Sequence, residues 1–302
     1  MKIYHYILIA LFYGAGQIIQ AKEITLPHQN LMLSANLILA QGKSLSEGAI
    51  LITHGGLMHR DMEIIGYLQD QLKDLGYNTL AINLSLGLNN RQGAYDCKNT
   101  HHHQHTDAAD EIDTWMKWLS AQDTQQVVLL GHSRGAGQTA LYLSEHNHSL
   151  IKGAVLMAPQ TSNNGGAGYE QRYGTPLQPL LSKASKLVRT GNGSTVLEHV
   201  NMMFCRDTRA TAEAFVSYYG ADPRLDSPWL ISKLKVPTLV VVAGADEVVI
   251  DLDKKIAPLI DNKHIQMSVI EGADHMFRDL NADDAIEMIN EFLSTLTQKQ
   301  VF

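Results

Sequence analysis

Three residues of this 302-residue chain have the types and the order for covalent acyl chemistry: Ser133, Asp246 and His275. Ser133 sits in Gly131-His132-Ser133-Arg134-Gly135, a G-x-S-x-G pattern between the apolar run 127–130 and an alanine-rich stretch. Between a strand and a helix that pattern makes a nucleophile elbow. The turn is tight, its flanking residues must be small, and the hydroxyl is pushed out above the sheet. A serine hydroxyl is a poor nucleophile at neutral pH, so it needs a base, and the base needs an orienting carboxylate. Asp246 follows the apolar run 237–242, and His275 closes Glu271-Gly272-Ala273-Asp274-His275 after the run Ile265–Ile270. Asp274 and Asp251 are rivals for the acid role. Asp274 should point away from its neighbour His275, and Asp251 should start a helix.

Acyl transfer also needs donors for the tetrahedral oxyanion. The backbone N–H of Arg134, next to the nucleophile, is one expected donor. The other should come from His54-Gly55-Gly56 after the run Ala49–Thr53. Gly56 is the expected donor because it lets the backbone approach a substrate closely, with Leu57 as the alternative. The side chains of His54 and His132 are read as structural hydrogen-bonding groups.

The elements that must position these residues follow from periodicity. Residues 31–39, 49–53, 79–84, 127–130, 154–157, 237–242 and 265–270 have strand composition. Met62, Ile65, Leu68, Leu72 and Leu75 repeat at helical spacing, and Gly76 closes that helix. Thr106 can cap a helix with Asp107 and Asp110 in its first turn and Ile112, Trp115, Met116 and Leu119 on its apolar face. Further helices are expected over 135–145 and 285–296. Strands alternating with helices imply an α/β fold, a mainly parallel sheet covered on both faces. The rhythm breaks over 160–230, where no clear strand is visible. An insertion after a parallel strand sits above the C-terminal sheet edge, where ligands bind, so 160–230 is expected to be a lid. The core then comprises 22–159 and 231–302.

These motifs, "HGG" at 54–56, "GHSRG" at 131–135, "AGADEVV" at 243–249 and "GADHMF" at 272–277, resemble in order those of the α/β-hydrolase superfamily. The resemblance spans roughly 49–296. It implies a Ser133–His275–Asp246 triad and a hydrolase working without a cofactor. The pattern looks closest to lid-bearing serine esterases, monoacylglycerol-lipase-like enzymes and related peptidases. It lacks the extended HGGG loop of hormone-sensitive-lipase-type esterases, because Leu57 follows Gly56. The expected partner is a small-molecule ester, with amides and thioesters as alternatives.

The loop 85–105 holds a dense run, Cys97-Lys98-Asn99-Thr100-His101-His102-His103-Gln104-His105. Zinc is chemically conceivable there. The run lacks a second, separated ligand cluster, so no metal site is expected and the histidines are read as solvated or pocket-rim residues. Because the loop follows a parallel strand, His101, His103 and His105 could contact substrate. A non-catalytic, metal-binding protein on this scaffold is the alternative from another class. Cys97 and Cys205 either form a disulfide or remain two buried thiols.

Lys2 followed by the short apolar run 3–12, with Ala21 at a possible cleavage point, reads as an export signal over 1–21. The run is too short for a comfortable span, so no stable membrane insertion is expected after cleavage, and the protein should be periplasmic or secreted. A net charge of −7 argues against a nucleic-acid partner, which calls for a basic surface.

Overall fold

A computed structural model describes residues 21–162, 166–261 and 263–298. The expected export signal therefore lies, apart from Ala21, outside the described residues.

The chain opens with β1 (Lys22–His28) and β2 (Leu31–Ile38), followed by β3 (Ala49–Thr53), α1 (Glu63–Asp74) and β4 (Thr79–Asn83). Next come the two-residue β5 (Thr100–His101), α2 (Asp107–Ala121), β6 (Val127–His132), α3 (Arg134–Glu145) and β7 (Ile151–Met157). The segment 160–230, called the cap below, holds α4 (Ala167–Tyr173), α5 (Leu177–Arg189), β8 (Val196–Met202), β9 (Cys205–Thr211), α6 (Ala212–Tyr219) and most of α7 (Ser227–Ile231). The chain then runs through β10 (Thr238–Ala243), α8 (Leu252–Ile256), β11 (Ile265–Ile270) and α9 (Leu280–Gln298).

Eight strands form the main sheet in the order β1-β2-β4-β3-β6-β7-β10-β11. β1 and β2 pair antiparallel, and β2 joins β4 antiparallel; from β4 to β11 every pairing is parallel. The inner parallel strands are mostly apolar because both faces are covered. Alternate residues serve opposite faces. Leu51, Leu129 and Val240 pack with Ile112, Trp115 and Leu141 of α2 and α3. Ile52, Leu130 and Val241 pack with Ile65 and Leu68 of α1 and Ile289 of α9. This period of two is what the strand geometry dictates.

The chain order reverses beside β3, with β4 on one side and β6 on the other. In an open parallel sheet the crevice at such a switch point, at the carboxyl ends of the strands, is the place for a ligand. The loops carrying Gly56 and Ser133 leave those two strand ends, where Thr53 pairs with Gly131.

The cap departs from expectation. Residues 160–230 contain two strands: β8 and β9 form an antiparallel hairpin, and β5 from the loop 85–105 adds to it in parallel. Cys97 and Cys205 form a disulfide beside this junction. Tyr169, Leu197, Met202 and Phe215 continue the same apolar cluster that packs α2 and α3. The cap is thus continuous with one face of the core.

Candidate active site

Ser133 is the last residue before α3 and sits at φ 56° and ψ −124°, a conformation L-residues rarely adopt. Two contacts enforce it. Its N–H donates to the Met157 carbonyl at 2.8 Å, and its carbonyl accepts from Ala136 N and Gly137 N. The neighbours must be glycine because the backbone closes on itself. A methyl at Gly135 would lie 2.2 Å from the His54 carbonyl oxygen, and one at Gly131 would lie 2.5 Å from Ala136 Cα.

β10 and β11 bring the other two groups to the same edge. His275 Nε2 lies 2.8 Å from Ser133 Oγ, and His275 Nδ1 lies 2.7 Å from Asp246 Oδ2. Burial raises the Asp246 carboxyl, but the bond to His275 and the amides of Val249 and Val248 outweigh it, leaving the group below its ordinary value. Ionised Asp246 accepts from Nδ1–H, so Nε2 is the free lone pair facing the serine hydroxyl. The two rival acids are elsewhere engaged. Asp274 accepts from the amides of Met276 and Arg278, and Asp251 precedes α8 and pairs with Lys254.

The supporting histidines are buried and neutral. His132 donates Nε2–H to the His275 carbonyl at 2.8 Å, which fixes the loop under the imidazole. Burial, with a smaller repulsion from His275, brings His132 down to about 4. His54 accepts at Nε2 from the Leu84 amide and from Arg91 Nη2.

Gly56 and Arg134 both line a small cavity of ≈ 40 Å³ at Ser133, which Arg172 and Phe204 line from the cap side. Neither of their amides is taken by a backbone acceptor among the described residues. Gly56 has φ +44°, and a methyl there would touch the Phe204 ring at 3.2 Å. Leu57, the alternative donor, has a buried side chain that does not line this cavity. Two clefts of ≈ 480 Å³ each adjoin it. One shares Arg134 and Gln160 and is walled by Tyr169, Tyr218 and Tyr219; the other shares Thr161, Arg172 and Val248.

The histidine run requires a correction. His101, His103 and His105 are not solvated, and none of them lines the cavity at Ser133. They are buried where the loop packs on the cap, His101 beside β9 and His103 and His105 against α6. His101 Nδ1 and His103 Nε2 are 3.0 Å apart, and His103 Nδ1 meets the Tyr218 hydroxyl at 2.8 Å. Tyr95 stacks on His101, and the His105 amide donates to Ser217 Oγ. Burial, more than the nearby positive groups, lowers His101 to about 4 and His105 to about 3. Among the described residues no group of three or more His, Cys, Asp or Glu is arranged to hold a metal ion. Cys97 is consumed by the disulfide.

Sequence reasoning missed Arg172, and it reached Phe204 only as one of the apolar lid residues that hint at an apolar acyl or aromatic group. Both come from the cap, whose residues carry no helical or strand period over that stretch. The run Met202-Met203-Phe204 was the available signal.

Comparison with known proteins agrees with this fold. The family model described as serine aminopeptidase, S33, matches residues 45–279. Est1E from Butyrivibrio proteoclasticus is 16% identical, with a TM-score of 0.65 over 91% of this chain and 99% of that one. An esterase of Pyrococcus furiosus is 16% identical, with a TM-score of 0.62 over 92% and 91% of the two chains. A monoacylglycerol lipase of Paleococcus ferrophilus is 17% identical, with a TM-score of 0.60 over 87% and 99%.

Proposed function

The chain belongs to the serine aminopeptidase S33 family, within the α/β-hydrolase superfamily, and on that premise we propose that it cleaves carboxylic esters through an acyl-enzyme. The observation that carries this reading is the unbroken relay from Ser133 Oγ through His275 to Asp246 at the mouth of a cavity. Ser133 Oγ attacks the ester carbonyl while its proton passes to His275 Nε2. The amides of Gly56 and Arg134 hold the oxyanion. As the tetrahedral adduct collapses, the C–O bond to the alcohol breaks and the imidazolium returns the proton to the leaving oxygen. Water then repeats the sequence on the acyl-enzyme and releases the acid and free Ser133.

Two arginines line the cavity and no acid does, which supports an ester over a peptide with a free amino terminus. A cationic α-amino group would face like charge there. Ser133→Ala should abolish labelling by a fluorophosphonate probe and hydrolysis of 4-nitrophenyl butyrate. Persistent labelling with full turnover would refute the assignment.

We further propose that the protein is exported. The apolar run behind Lys2 and the Cys97–Cys205 disulfide support this, because such bridges persist in oxidising compartments. Deleting residues 2–20 should retain the chain in the cytosol with both thiols reduced. Equal export of the truncated and full chains would contradict it.

A further inference from the structure

Two arginines, Arg134 and Arg172, line the cavity at Ser133, and neither side chain is matched by a carboxylate among the described residues. The side chain of Arg134 lies against the cap, with Cζ 5.1 Å from the Tyr218 ring centroid. Its Nη1 is buried without a hydrogen-bond partner. Arg172 enters from α4, with Cζ 4.5 Å over the Phe204 ring and Nη1 3.3 Å from the Met203 carbonyl. Among the described residues neither arginine forms an ion pair.

The acids around the site are committed elsewhere or lie outside the cavity. Asp246 serves His275. In the tyrosine-walled cleft, Asp222 is held by Arg224, and Asp226 accepts from the Ser162 amide. On the other side Asp251 is held by Lys254, and Glu247 lines only the cleft beyond Arg172. Lys255, which lines that same cleft, donates to Thr161 and also has no carboxylate partner among the described residues.

A buried guanidinium nitrogen without a counter-charge, as at Arg134, is costly, and the exposed Arg172 adds a second positive charge at the same cavity rather than a compensating negative one. The chain carries a net charge of −7, so this cationic pair is not the edge of a generally basic surface. An aromatic face under each guanidinium compensates in part and leaves edge N–H groups for a ligand, apart from the Arg172 Nη1 bond to the Met203 carbonyl. That fork geometry suits a carboxylate, which it can bind through two parallel hydrogen bonds.

We propose that Arg134 and Arg172 receive an anion carried by the substrate, so that the site selects esters bearing a carboxylate or similar group a few bonds from the scissile carbonyl. This rests on the hydrolase reading above and adds the substrate class. The core supplies the bond-breaking groups, and the cap supplies half of the selectivity.

Paired esters test it. Mono-4-nitrophenyl adipate against 4-nitrophenyl 6-methylheptanoate places the anion on the acyl side. 4-Carboxyphenyl butyrate against phenyl butyrate places it on the alcohol side. The wild type should favour the anionic member of at least one pair in kcat/KM by about ten- to a hundredfold, the range expected for a charge-assisted bond. Arg172→Gln should lower that ratio about tenfold, chiefly through KM, and Arg172→Lys should restore part of it. Fluorophosphonate labelling reports whether Ser133 remains intact in each variant. Turnover of the neutral esters with no anionic preference in either pair overturns the inference and leaves the hydrolase reading standing. An unchanged ratio in Arg172→Gln overturns it equally. Absence of turnover for all four esters, with no labelling, removes the hydrolase reading and the inference together.

Discussion

Each ring nitrogen of His275 has one partner, with Nδ1 facing Asp246 and Nε2 facing Ser133. That division makes the tautomer the quantity that Asp246 controls. In Asp246→Asn the amide group can donate to Nδ1, which leaves the ring proton on Nε2 and removes the acceptor that Ser133 needs. We expect kcat to fall by about 10⁴-fold with KM changed only a few-fold, read in an ester assay at pH 7.5. A variant retaining a tenth or more of the wild-type kcat would take Asp246 out of this role. The triad is legible in the chain because each member ends an apolar run and the fold delivers strand ends to one edge. Arg172 and Phe204 are not legible in this way. Their approach to Ser133 depends on how the cap folds back, and no local spacing encodes that.

The least legible element is the cap hairpin. β8 reads Val196-Leu197-Glu198-His199-Val200-Asn201-Met202, and its alternation is broken where the register shifts between Leu197 and Val200. His199 and, across the hairpin, Asp207 adopt positive φ values of 55° and 48°. An irregular ladder of this kind displaces side chains from the two-residue period, so the strand pattern disappears from the sequence. The burial of His101 is hidden for the same reason, since it requires β9 to lie against β5, and that of His103 requires Tyr218 of α6 to reach the loop. The disulfide closes a separation of 108 residues across this junction. Chain-entropy reasoning gives about 4–5 kcal/mol for such a loop, or a fall in Tm of about 5–15 °C when it is lost. Differential scanning fluorimetry of the wild type with and without reductant, beside Cys97→Ser/Cys205→Ser, should show it. An unchanged Tm would mean that strand pairing and the histidine contacts hold the junction without the bridge.

At the scale of the whole molecule, folding buries five imidazoles in neutral form among the described residues: His54, His101, His103, His105 and His132. Burial lowers all five, to about 4 for His101 and His132, about 3 for His105, and well below 6.5 for His54 and His103. Between about pH 4 and 6.5 the unfolded chain therefore binds more protons than the folded one, and stability rises with pH across that window. Glu111 acts in the opposite sense. Burial lifts it to about 7 despite its bonds to Ser85, so its contribution is lost as pH rises from 4.5 towards 7. Five groups outweigh one. We expect Tm to climb from pH 5 to 6.5 and then flatten, by an amount equivalent to several kcal/mol at most. A flat or falling Tm over pH 5–6.5 in thermal scans would contradict burial of the neutral rings.

The strand shared between β5 and β9 has a consequence for how such an enzyme can be altered. The cap is a contiguous insertion, yet its sheet is completed by a strand encoded some hundred residues earlier. A transplant of residues 160–230 onto another hydrolase core would leave that sheet one strand short, with Cys205 unpaired. Exchange of specificity between relatives would have to move two segments together, 85–105 and 160–230. A recombination boundary placed between them should yield chimaeras that lose the cap while keeping the core.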